Sequence, residues 1–476
     1  MFWQLRKVRK QIIINNNFFI RFKYKKVIAN YNYICNPNKS NMMKKLFLLI
    51  LVGLFSINSN SQLQKAKKFA KTITAEELKD HLYVYASDEF EGRNTGAEGQ
   101  KKAVEYLRNF YIKNEIEPGD PDKDYFQKMK LNLRRGNEGE VDSENVIAII
   151  KGTEMPDEYL ILTAHLDHVG YGRTGSRSRD AYIGEVKERI HNGADDDGSG
   201  TVAMLEIAQA FKEASEKGKG PKRSIIFLHV TGEEKGLLGS AYYADNPIYP
   251  LENTVTNLNL DMIGRIDPTR KGDKREYIYI IGSDHDSQDL HNLSEQTNLE
   301  TVNIDLDYRY NDKNDPNRFY YRSDHYNFAK NGIPIIFYFS GTHPDYHLPS
   351  DTPDKIEYDL LELRSKLVFY TAWNIANRDE RIKVDPKPEA EKFEVDKDKL
   401  EGYAGNYGAE GIPLKIGVFI KDDNLFIEVM NQAVQLDPLA EDVFGSEAMG
   451  LKLTFDTKNG TLEFKQGPYN IKLNKE

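Results

Sequence analysis

Apolar strand-like segments alternate with helical segments through most of the chain, and this alternation restricts the fold more than any other feature. The strand-like segments lie at 143–152, 158–167, 223–232, 254–264, 276–283 and 333–340. The helical segments lie at 201–214, 236–245, 285–298 and 355–378, after two shorter ones between 73 and 115. This order predicts an α/β fold with an open, mostly parallel twisted sheet flanked by helices.

The pattern changes near residue 380. Residues 381–399 are charged and contain prolines, which is typical of a linker. Residues 400–476 contain short alternating strands with turn signals, including Asn459-Gly460 between two such runs, a strong hairpin signal. We therefore expect an α/β domain over 62–380, a linker over 381–399 and a small all-β domain over 400–476.

The front of the chain has the features of an export signal. Residues 42–61 combine a short basic start, an apolar run at 46–55 and small polar residues before Gln62. The apolar run is half of the roughly 20 residues that span a bilayer, so no membrane span is expected after cleavage near Gln62. This predicts a secreted or periplasmic protein. Residues 1–41 carry no usable pattern, and we interpret them as an over-extended start without function.

Charge and cysteine content exclude several classes of site. The chain of 476 residues has a net charge of −9, and residues 1–61 carry eleven Lys or Arg and no acidic residue, so the remainder is −9 − 11 = −20. An acidic body argues against nucleic-acid binding. Cys35 is the only cysteine, so a disulfide and a thiolate zinc site are both excluded. Any metal must be bound by histidines and carboxylates, and the oligomeric state is not indicated.

Five polar motifs follow strand-like segments. They are TAHLDHVG (163–170), NGADDDGSG (192–200), TGEEKGLLGS (231–240), NLNLDMIG (257–264) and DYHLPSDTPD (345–354). Each alone is equally typical of a solvated loop or a helix cap. Because ligands bind at the carboxyl ends of the strands in open α/β sheets, the motifs should meet there. Together they supply histidines and carboxylates without sulfur, the ligand set of a two-zinc hydrolytic site.

The five motifs, in this order, resemble the di-zinc aminopeptidase family of metallopeptidases, which includes secreted leucyl aminopeptidases, glutamate carboxypeptidase and the transferrin-receptor ectodomain. The resemblance covers about residues 75–378, and ASDEFEGRNTG (86–96) and RSDHYNFAKNGIP (322–334) also look like family segments. It implies a zinc exopeptidase-like fold and a secreted zinc aminopeptidase that hydrolyses peptides. Residues 400–408 resemble the start of a small β domain that is appended to various secreted hydrolases.

The resemblance also implies a ligand set for two Zn²⁺ ions that form one bridged pair. Asp196 matches the bridging carboxylate, because it lies four residues before Gly200 as in the family pattern. His165 and Asp261 would complete one zinc site. Glu234 and His347 would complete the other.

Four further residues are given catalytic or supporting roles by the resemblance. Asp167 would orient His165 through its other ring nitrogen. Glu233 would be the general base that takes a proton from the attacking water and delivers it to the leaving amine. Arg322 and Tyr346 are similar to family residues that contact the substrate or stabilise the tetrahedral oxyanion.

Other polar residues near the motifs are not assigned to the ligand set. His168, His191, His325 and His343 miss the ligand positions of the family, so we expect loop or supporting roles for them. Residues 171–191 form a long polar insert with several arginines. Long loops at a strand's carboxyl end often line a substrate cleft, but the sequence does not assign this one a role.

Several alternatives remain at this point. The sequence contains neither the G-x-S-x-G elbow of serine hydrolases nor the H-E-x-x-H motif of thermolysin-like proteases. A carboxypeptidase or dipeptidase of the same family stays open. A single-zinc glutaminyl cyclase and a catalytically inactive binding protein are less consistent with the complete set of five ligands.

Overall fold

The structure, a computed structural model, describes the chain from residue 63 onward with gaps. The described residues are 63–120, 124–133, 139–171, 190–386, 393, 395–409, 412–429, 432–447, 449–467 and 469–476. The predicted signal peptide, residues 1–41 and positions 172–189 of the insert lie outside them. Within these ranges, no helix combines the length and the apolar character needed to cross a bilayer.

The described residues form helices and strands in the order expected from the sequence. The helices are α1 (Ala75–Tyr85), α2 (Glu98–Lys113), α3 (Gly200–Glu216), α4 (Leu238–Asp245), α5 (Gln288–Glu300), α6 (His325–Ala329), α7 (Tyr358–Asn377) and α8 (Lys397–Tyr403). The first eleven strands are β1 (Glu117–Pro118), β2 (Phe126–Leu133), β3 (Gly139–Ile150), β4 (Met155–His165), β5 (Gly170–Tyr171), β6 (Ile190–His191), β7 (Arg223–Val230), β8 (Thr254–Leu260), β9 (Tyr277–Ile281), β10 (Asp305–Asp307) and β11 (Ile335–Phe339). The remaining strands are β12 (Gly405–Ala409), β13 (Ile412–Lys421), β14 (Asn424–Val429), β15 (Gln432–Ala440), β16 (Val443–Ser446), β17 (Leu451–Asp456), β18 (Thr461–Gln466) and β19 (Tyr469–Lys475).

The main sheet confirms the predicted α/β class. Its order is β1-β3-β7-β4-β8-β11-β9-β10, and β2 pairs with the outer part of β3. The four central strands β7, β4, β8 and β11 are parallel to one another. Strands β3 and β9 run antiparallel to their central neighbours, so the sheet is mixed at both sides. The parallel pairing expected from the sequence therefore joins the four central strands and also β9 to β10 at one edge.

Helices cover both faces of the central strands, and this explains their apolar sequences. All eight residues of β7 are buried. On one face, Trp373 of α7 stacks against Phe211 of α3, with ring centroids 5.7 Å apart. On the other face, Tyr243 of α4 packs against Phe328 of α6. A strand buried on both faces must be apolar along its whole length, as observed here.

The register of the central strands brings their carboxyl ends to one edge. His165 at the end of β4 pairs with Val230 at the end of β7. Thr163 pairs with Asn259 of β8, and Leu260 pairs with Tyr338 of β11. The loops that leave these four strands therefore begin side by side.

The C-terminal strands β12 to β19 form a closed antiparallel barrel, which confirms the predicted all-β character of this part. Pairing of Tyr407 in β12 with Lys475 in β19 closes it. The predicted hairpin at Asn459-Gly460 is present: Asp456 pairs with Thr461 around a four-residue loop. Helix α8 precedes the barrel and spans the boundary at residue 400 that the sequence suggested.

His229 of β7 is expected to make the fold sensitive to acid. Its Nε2 atom lies 2.7 Å from the Tyr111 hydroxyl, and burial lowers the pKa of the imidazole to about 3. The unfolded chain takes up a proton near pH 6.5, but folded His229 does not until about pH 3. The free energy of unfolding therefore falls as pH drops between these values, by up to about 1.4 kcal/mol per pH unit. Urea titrations at several pH values should show that the free energy of unfolding depends less steeply on pH in His229→Gln than in the wild type. An unchanged slope would contradict the prediction.

Candidate metal centre

The residues predicted from the five motifs come together at the carboxyl edge of the central strands. They are His165 at the end of β4, Asp196 in the turn before α3, Glu233 and Glu234 after β7, Asp261 after β8 and His347 after β11. All six side chains are buried, and Asp261 is the most exposed at 7%. Strand order thus joins groups that are up to 182 positions apart, from 165 to 347.

Asp196 lies between two groups of side chains. Its Oδ1 atom is 3.1 Å from His165 Nε2, and its Oδ2 atom is 2.9 Å from His347 Nε2. His165 Nε2 also lies 3.8 Å from Asp261 Oδ1, and His347 Nε2 lies 2.9 Å from Glu234 Oε1. The five side chains therefore form two groups that share the Asp196 carboxylate.

The chemistry of this cluster fits divalent metal ions. His165 Nε2, His347 Nε2, Asp196 Oδ2 and both Glu234 oxygens are buried, and none has a hydrogen-bond partner among the described residues. The contacts of 2.9–3.1 Å between them are close but not directed as hydrogen bonds. Donor atoms that point toward a common centre produce such contacts. Burying carboxylates and imidazoles in this arrangement is costly unless a cation binds them.

The electrostatics of the cluster agree with a cation site. Burial opposes protonation of His347, but the charges of Glu234 and Asp196 raise the pKa of its imidazole to about 10. Burial also opposes ionisation of Glu234, yet His347 and His168 lower the pKa of this carboxyl well below its usual range. The carboxylates thus strongly favour a positive charge at the centre, which a divalent cation supplies.

The three consecutive aspartates of the second motif have different partners. The Asp197 carboxylate accepts hydrogen bonds from the backbone N–H groups of His165, Gly200 and Met262, at 3.0–3.1 Å. Asp195 accepts one from the N–H of Gly264. Asp197 therefore lies close to His165 but joins three loops through their backbones, which leaves Asp196 as the carboxylate directed into the cluster.

A further carboxylate fixes the other side of this loop. Asp351 accepts hydrogen bonds from the backbone N–H groups of Asp195 and Asp196, at 3.0–3.2 Å. Burial raises the pKa of Asp351 to about 7. His343, expected to have a supporting role, lies with its Nε2 atom 3.2 Å from Asp195 Oδ2. The loop that contains Asp195 and Asp196 is thus fixed by contacts with both Asp351 and His343.

Asp167 differs from its predicted role in one respect. His165 Nδ1 lies 2.9 Å from the backbone carbonyl of Asp167 and 4.0 Å from its carboxylate. The carboxylate instead accepts hydrogen bonds from the Thr95 hydroxyl at 2.6 Å and from the backbone N–H of Glu233 at 3.1 Å. Asp167 therefore orients the His165 ring through its main chain, while its side chain positions Glu233.

A solvent-open cavity lies beside one of the two groups. Its lining includes Asp196, Glu233 and Asp261, together with Arg322 and Tyr346. Burial raises the pKa of Glu233 well above its usual range; His165 opposes this shift, and the nearby charges of Glu234 and Asp261 add to it. Glu233 is thus a carboxyl in the cavity wall that holds a proton readily.

Arg322 and Tyr346 face this cavity together. Arg322 Nη2 lies 3.4 Å from the Tyr346 hydroxyl, and the Tyr346 ring stacks on His347 with centroids 3.9 Å apart. The neighbouring Tyr321 donates a hydrogen bond of 3.0 Å to Glu447 of the barrel. The barrel therefore contacts the segment that carries Arg322.

Ser323 is a site residue that the sequence reasoning did not identify. Its hydroxyl donates to Asp261 Oδ2 at 2.6 Å and accepts from Asn259 Nδ2 at 2.8 Å. Asn259 in turn accepts from the Thr163 hydroxyl at 2.6 Å. This chain of hydrogen bonds fixes Asp261, and the signal that could have found it is the RSDHYNF segment (322–328).

The remaining histidines divide into two kinds. His191 forms the short β5–β6 ladder, and His325 in α6 stacks on Phe337 with centroids 4.5 Å apart, so both have structural positions. His168 differs from them, because its Nδ1 atom lies 3.1 Å from Glu234 Oε1. The loop after β4 thus turns the His168 ring inward, against the ligand cluster, and whether its role goes beyond support stays a separate question.

Comparisons with known proteins agree with this chemistry. The model of peptidase family M28 matches residues 145–372. A probable zinc metalloprotease of Pyrenophora teres f. teres (strain 0-1) is 28% identical over 278 residues, which cover 50% of this chain and 52% of that protein. Aminopeptidase YwaD of Bacillus subtilis (strain 168) is 27% identical over 254 residues, which cover 52% of this chain and 47% of that protein.

The chain is also similar to solved structures. A leucine aminopeptidase precursor from Bacteroides thetaiotaomicron VPI-5482 has a TM-score of 0.49 and 18% identity, covering 63% of this chain and 97% of that one. The chain spans about half the length of the curated relatives described above. The matched range 145–372 contains all five motifs, from His165 to His347. The chain therefore carries a peptidase family M28 domain over residues 145–372, homologous to zinc metallopeptidases.

Proposed function

We propose that this protein is a two-zinc aminopeptidase that hydrolyses the N-terminal peptide bond of peptides. The observation that carries the proposal is the position of Asp196, whose two oxygens face imidazoles of two different groups. A carboxylate placed in this way can bridge two metal ions about 3.5–4 Å apart, the arrangement of two-metal hydrolytic sites. The homology to zinc metallopeptidases supports zinc as the metal and a peptide bond as the target.

The side chains divide between two metal positions. His165, Asp196 and Asp261 would hold one zinc, and Asp196, Glu234 and His347 would hold the other. The zinc pair, when bound, polarises the scissile carbonyl and lowers the pKa of the nucleophilic water. The chain's own residues must then position the peptide and move the proton.

Glu233 is the residue proposed to move the proton. Its carboxyl group lies in the cavity wall beside Asp261, and Asp167 fixes its backbone N–H. Burial raises its pKa, which suits a group that must keep the proton of the attacking water until it reaches the leaving amine. Bound cations would lower this pKa, so that Glu233 is ionised before it takes a proton from the attacking water.

The charge of the cavity favours the amino end of a peptide. Of the three carboxylates that line it, Asp196 and Asp261 would be neutralised by bound zinc, so the charge that can attract a free α-ammonium group is that of Glu233. Tyr346 and Arg322 would contact the substrate from the opposite side. Their hydroxyl and guanidinium groups are donors suited to the oxyanion that develops on the attacked carbonyl.

Arg322 also supports a second mode of substrate recognition, at the C-terminal end of a peptide. A guanidinium in the cavity wall can bind the terminal carboxylate of a peptide, which is how a carboxypeptidase or dipeptidase would select its substrate. The same hydrolytic centre would then act at the other end of the chain.

Hydrolysis of two substrate sets distinguishes these modes. We expect aminoacyl chromogenic substrates with a free amine to be cleaved, and N-acylated dipeptides to resist cleavage. A chelator should abolish the activity and added zinc should restore it. Cleavage of only the N-acylated dipeptides would establish the carboxypeptidase mode. Activity that is insensitive to chelators would contradict a zinc peptidase.

We also propose that the protein is exported. The support is the basic, apolar and small-polar pattern of residues 42–61 in the sequence. N-terminal sequencing of the mature protein from its native host should begin near Gln62. A mature chain that retains residues 42–61 would contradict export through this segment.

A further inference from the structure

His168, expected from the sequence to have a loop or supporting role, lies against the Glu234 side of the metal centre. Its Nδ1 atom is 3.1 Å from Glu234 Oε1 and 3.7 Å from Asp196 Oδ2. His347 approaches the same two oxygens, with its Nε2 atom 2.9 Å from each. Two imidazoles and two carboxylates therefore surround one point.

Most of the known separations among these atoms are close to those of a zinc coordination shell. Zinc binds nitrogen and oxygen ligands at about 2.0–2.2 Å, and tetrahedral geometry then sets the ligand atoms about 3.3–3.6 Å apart. The separations that involve Asp196 Oδ2 or Glu234 Oε1 and one of the two imidazoles range from 2.9 to 3.7 Å. His168, Asp196 and Glu234 also offer ligand atoms that all lie within 4.8 Å of one another, as a shared metal ion requires.

The His168 ring is fixed in place and lacks another partner. The residue is 0% exposed, and neither ring nitrogen has a hydrogen-bond partner among the residues that the structure describes. Its backbone N–H donates to the carbonyl of Arg93 at 3.1 Å. Gly193 lies against the ring, since a Cβ atom there would come within 2.5 Å of His168 Cγ. A buried imidazole with both nitrogens unpaired is costly, and a metal bond to Nδ1 removes part of this cost.

We infer that His168 Nδ1 is a fourth protein ligand of the zinc held by Asp196, Glu234 and His347, which rests on the two-zinc site proposed above. The two metal positions are then unequal. One has four protein ligands, and the other has three, from His165, Asp196 and Asp261.

This inequality assigns different tasks to the two positions. Zinc with four protein ligands is closed, whereas zinc with three keeps an open coordination position for water or substrate. The cavity lining includes Asp261 and Glu233, next to the three-ligand position. Glu234, His347 and His168 are described and buried, and none of them is among the residues that line the cavity. Substrate therefore reaches the His165 position, and the His168 position holds the shared carboxylate in place.

A zinc-binding experiment on His168→Gln tests the inference. Chelator competition measures the affinity of the tighter zinc, and the visible spectrum of the cobalt-substituted protein reports coordination number. We expect the affinity to fall by more than about 100-fold, beyond the 10–100-fold typical of residues that only orient a ligand. The cobalt bands should shift and change in intensity. The same substitution at a buried histidine whose ring contacts Tyr111 and no proposed ligand, His229→Gln, should change neither measurement.

The outcomes separate this inference from the proposed function. A wild-type protein that binds two zincs and hydrolyses peptides, with an unchanged affinity and cobalt spectrum in His168→Gln, overturns the inference alone. A smaller loss of affinity with an unchanged spectrum also overturns it, because His168 then only orients Glu234. A wild-type protein that cannot bind two zincs overturns both. If the variant does not fold, a zinc-loaded wild-type crystal structure decides: His168 Nδ1 should lie about 2.0–2.1 Å from the metal, and a separation beyond hydrogen-bond range rejects the assignment.

Discussion

Replacing Glu233 by alanine is expected to lower kcat by roughly 10²–10⁴-fold, the usual contribution of a general acid–base group, with two zincs still bound. The carboxylate of Glu233 lies in the cavity wall, and the proposed ligand set does not include it. Its proposed task is to carry a proton from the attacking water to the leaving amine, which cannot depart unprotonated. Steady-state kinetics and elemental analysis of the same preparation would measure both quantities. A competitive inhibitor should still bind with near wild-type affinity, because ground-state contacts remain.

The adjacent residue provides a matched control. Glu234 Oε1 lies 2.9 Å from His347 Nε2, inside the ligand cluster, so Glu234→Ala should lose zinc and activity together. The two variants differ by one position and remove the same side chain. If Glu233→Ala kept near wild-type turnover, or lost its zinc while Glu234→Ala did not, the roles of base and ligand would be exchanged.

Asp196→Asn is expected to reduce the zinc content from two ions per chain to one or none, with activity lowered by at least as much as in Glu233→Ala. The bridging carboxylate is the one charge that both metal positions share, so its neutralisation weakens both. Asparagine keeps the size of the side chain, which limits changes in packing. Elemental analysis after dialysis gives the stoichiometry.

A second buried aspartate controls for the loss of a carboxylate as such. Asp267 is 3% exposed and accepts hydrogen bonds from the Tyr279 and Tyr310 hydroxyls, away from the ligand cluster. Asp267→Asn should lower the Tm while two zincs remain bound. A wild-type protein that holds only one metal, and keeps that metal in Asp196→Asn, would contradict the bridged pair.

The sequence could predict which motifs meet, because parallel strands end at a common edge. His165, Asp261 and Glu234 come at or just after the ends of apolar strands. Once these strands are predicted to be parallel, the three residues are expected at the same edge of the sheet. The assignment of Asp196 required the resemblance, since three adjacent aspartates have similar local sequence. The structure separates them through the backbone amides that bind Asp195 and Asp197.

Other features depend on the path of the backbone, which local sequence does not specify. Whether the carbonyl or the carboxylate of Asp167 faces His165 is decided by how the loop after β4 turns. The same turn directs His168 into the cluster, three residues after His165. The barrel is closed by pairing of its first and last strands, at Tyr407 and Lys475. Pairing between residues so far apart in the chain produces no periodic pattern in the sequence.

The backbone amides that bind Asp195, Asp197 and Asp351 also determine how the protein responds to loss of its metal. These bonds hold the loops through the polypeptide itself, so the ligand atoms stay near their places when the cations leave. Small zinc domains lack such support and unfold without metal. In this protein, we expect loss of the proposed zincs to be a local event within a folded scaffold. The site should then be emptied and refilled reversibly, with no refolding step between the two states.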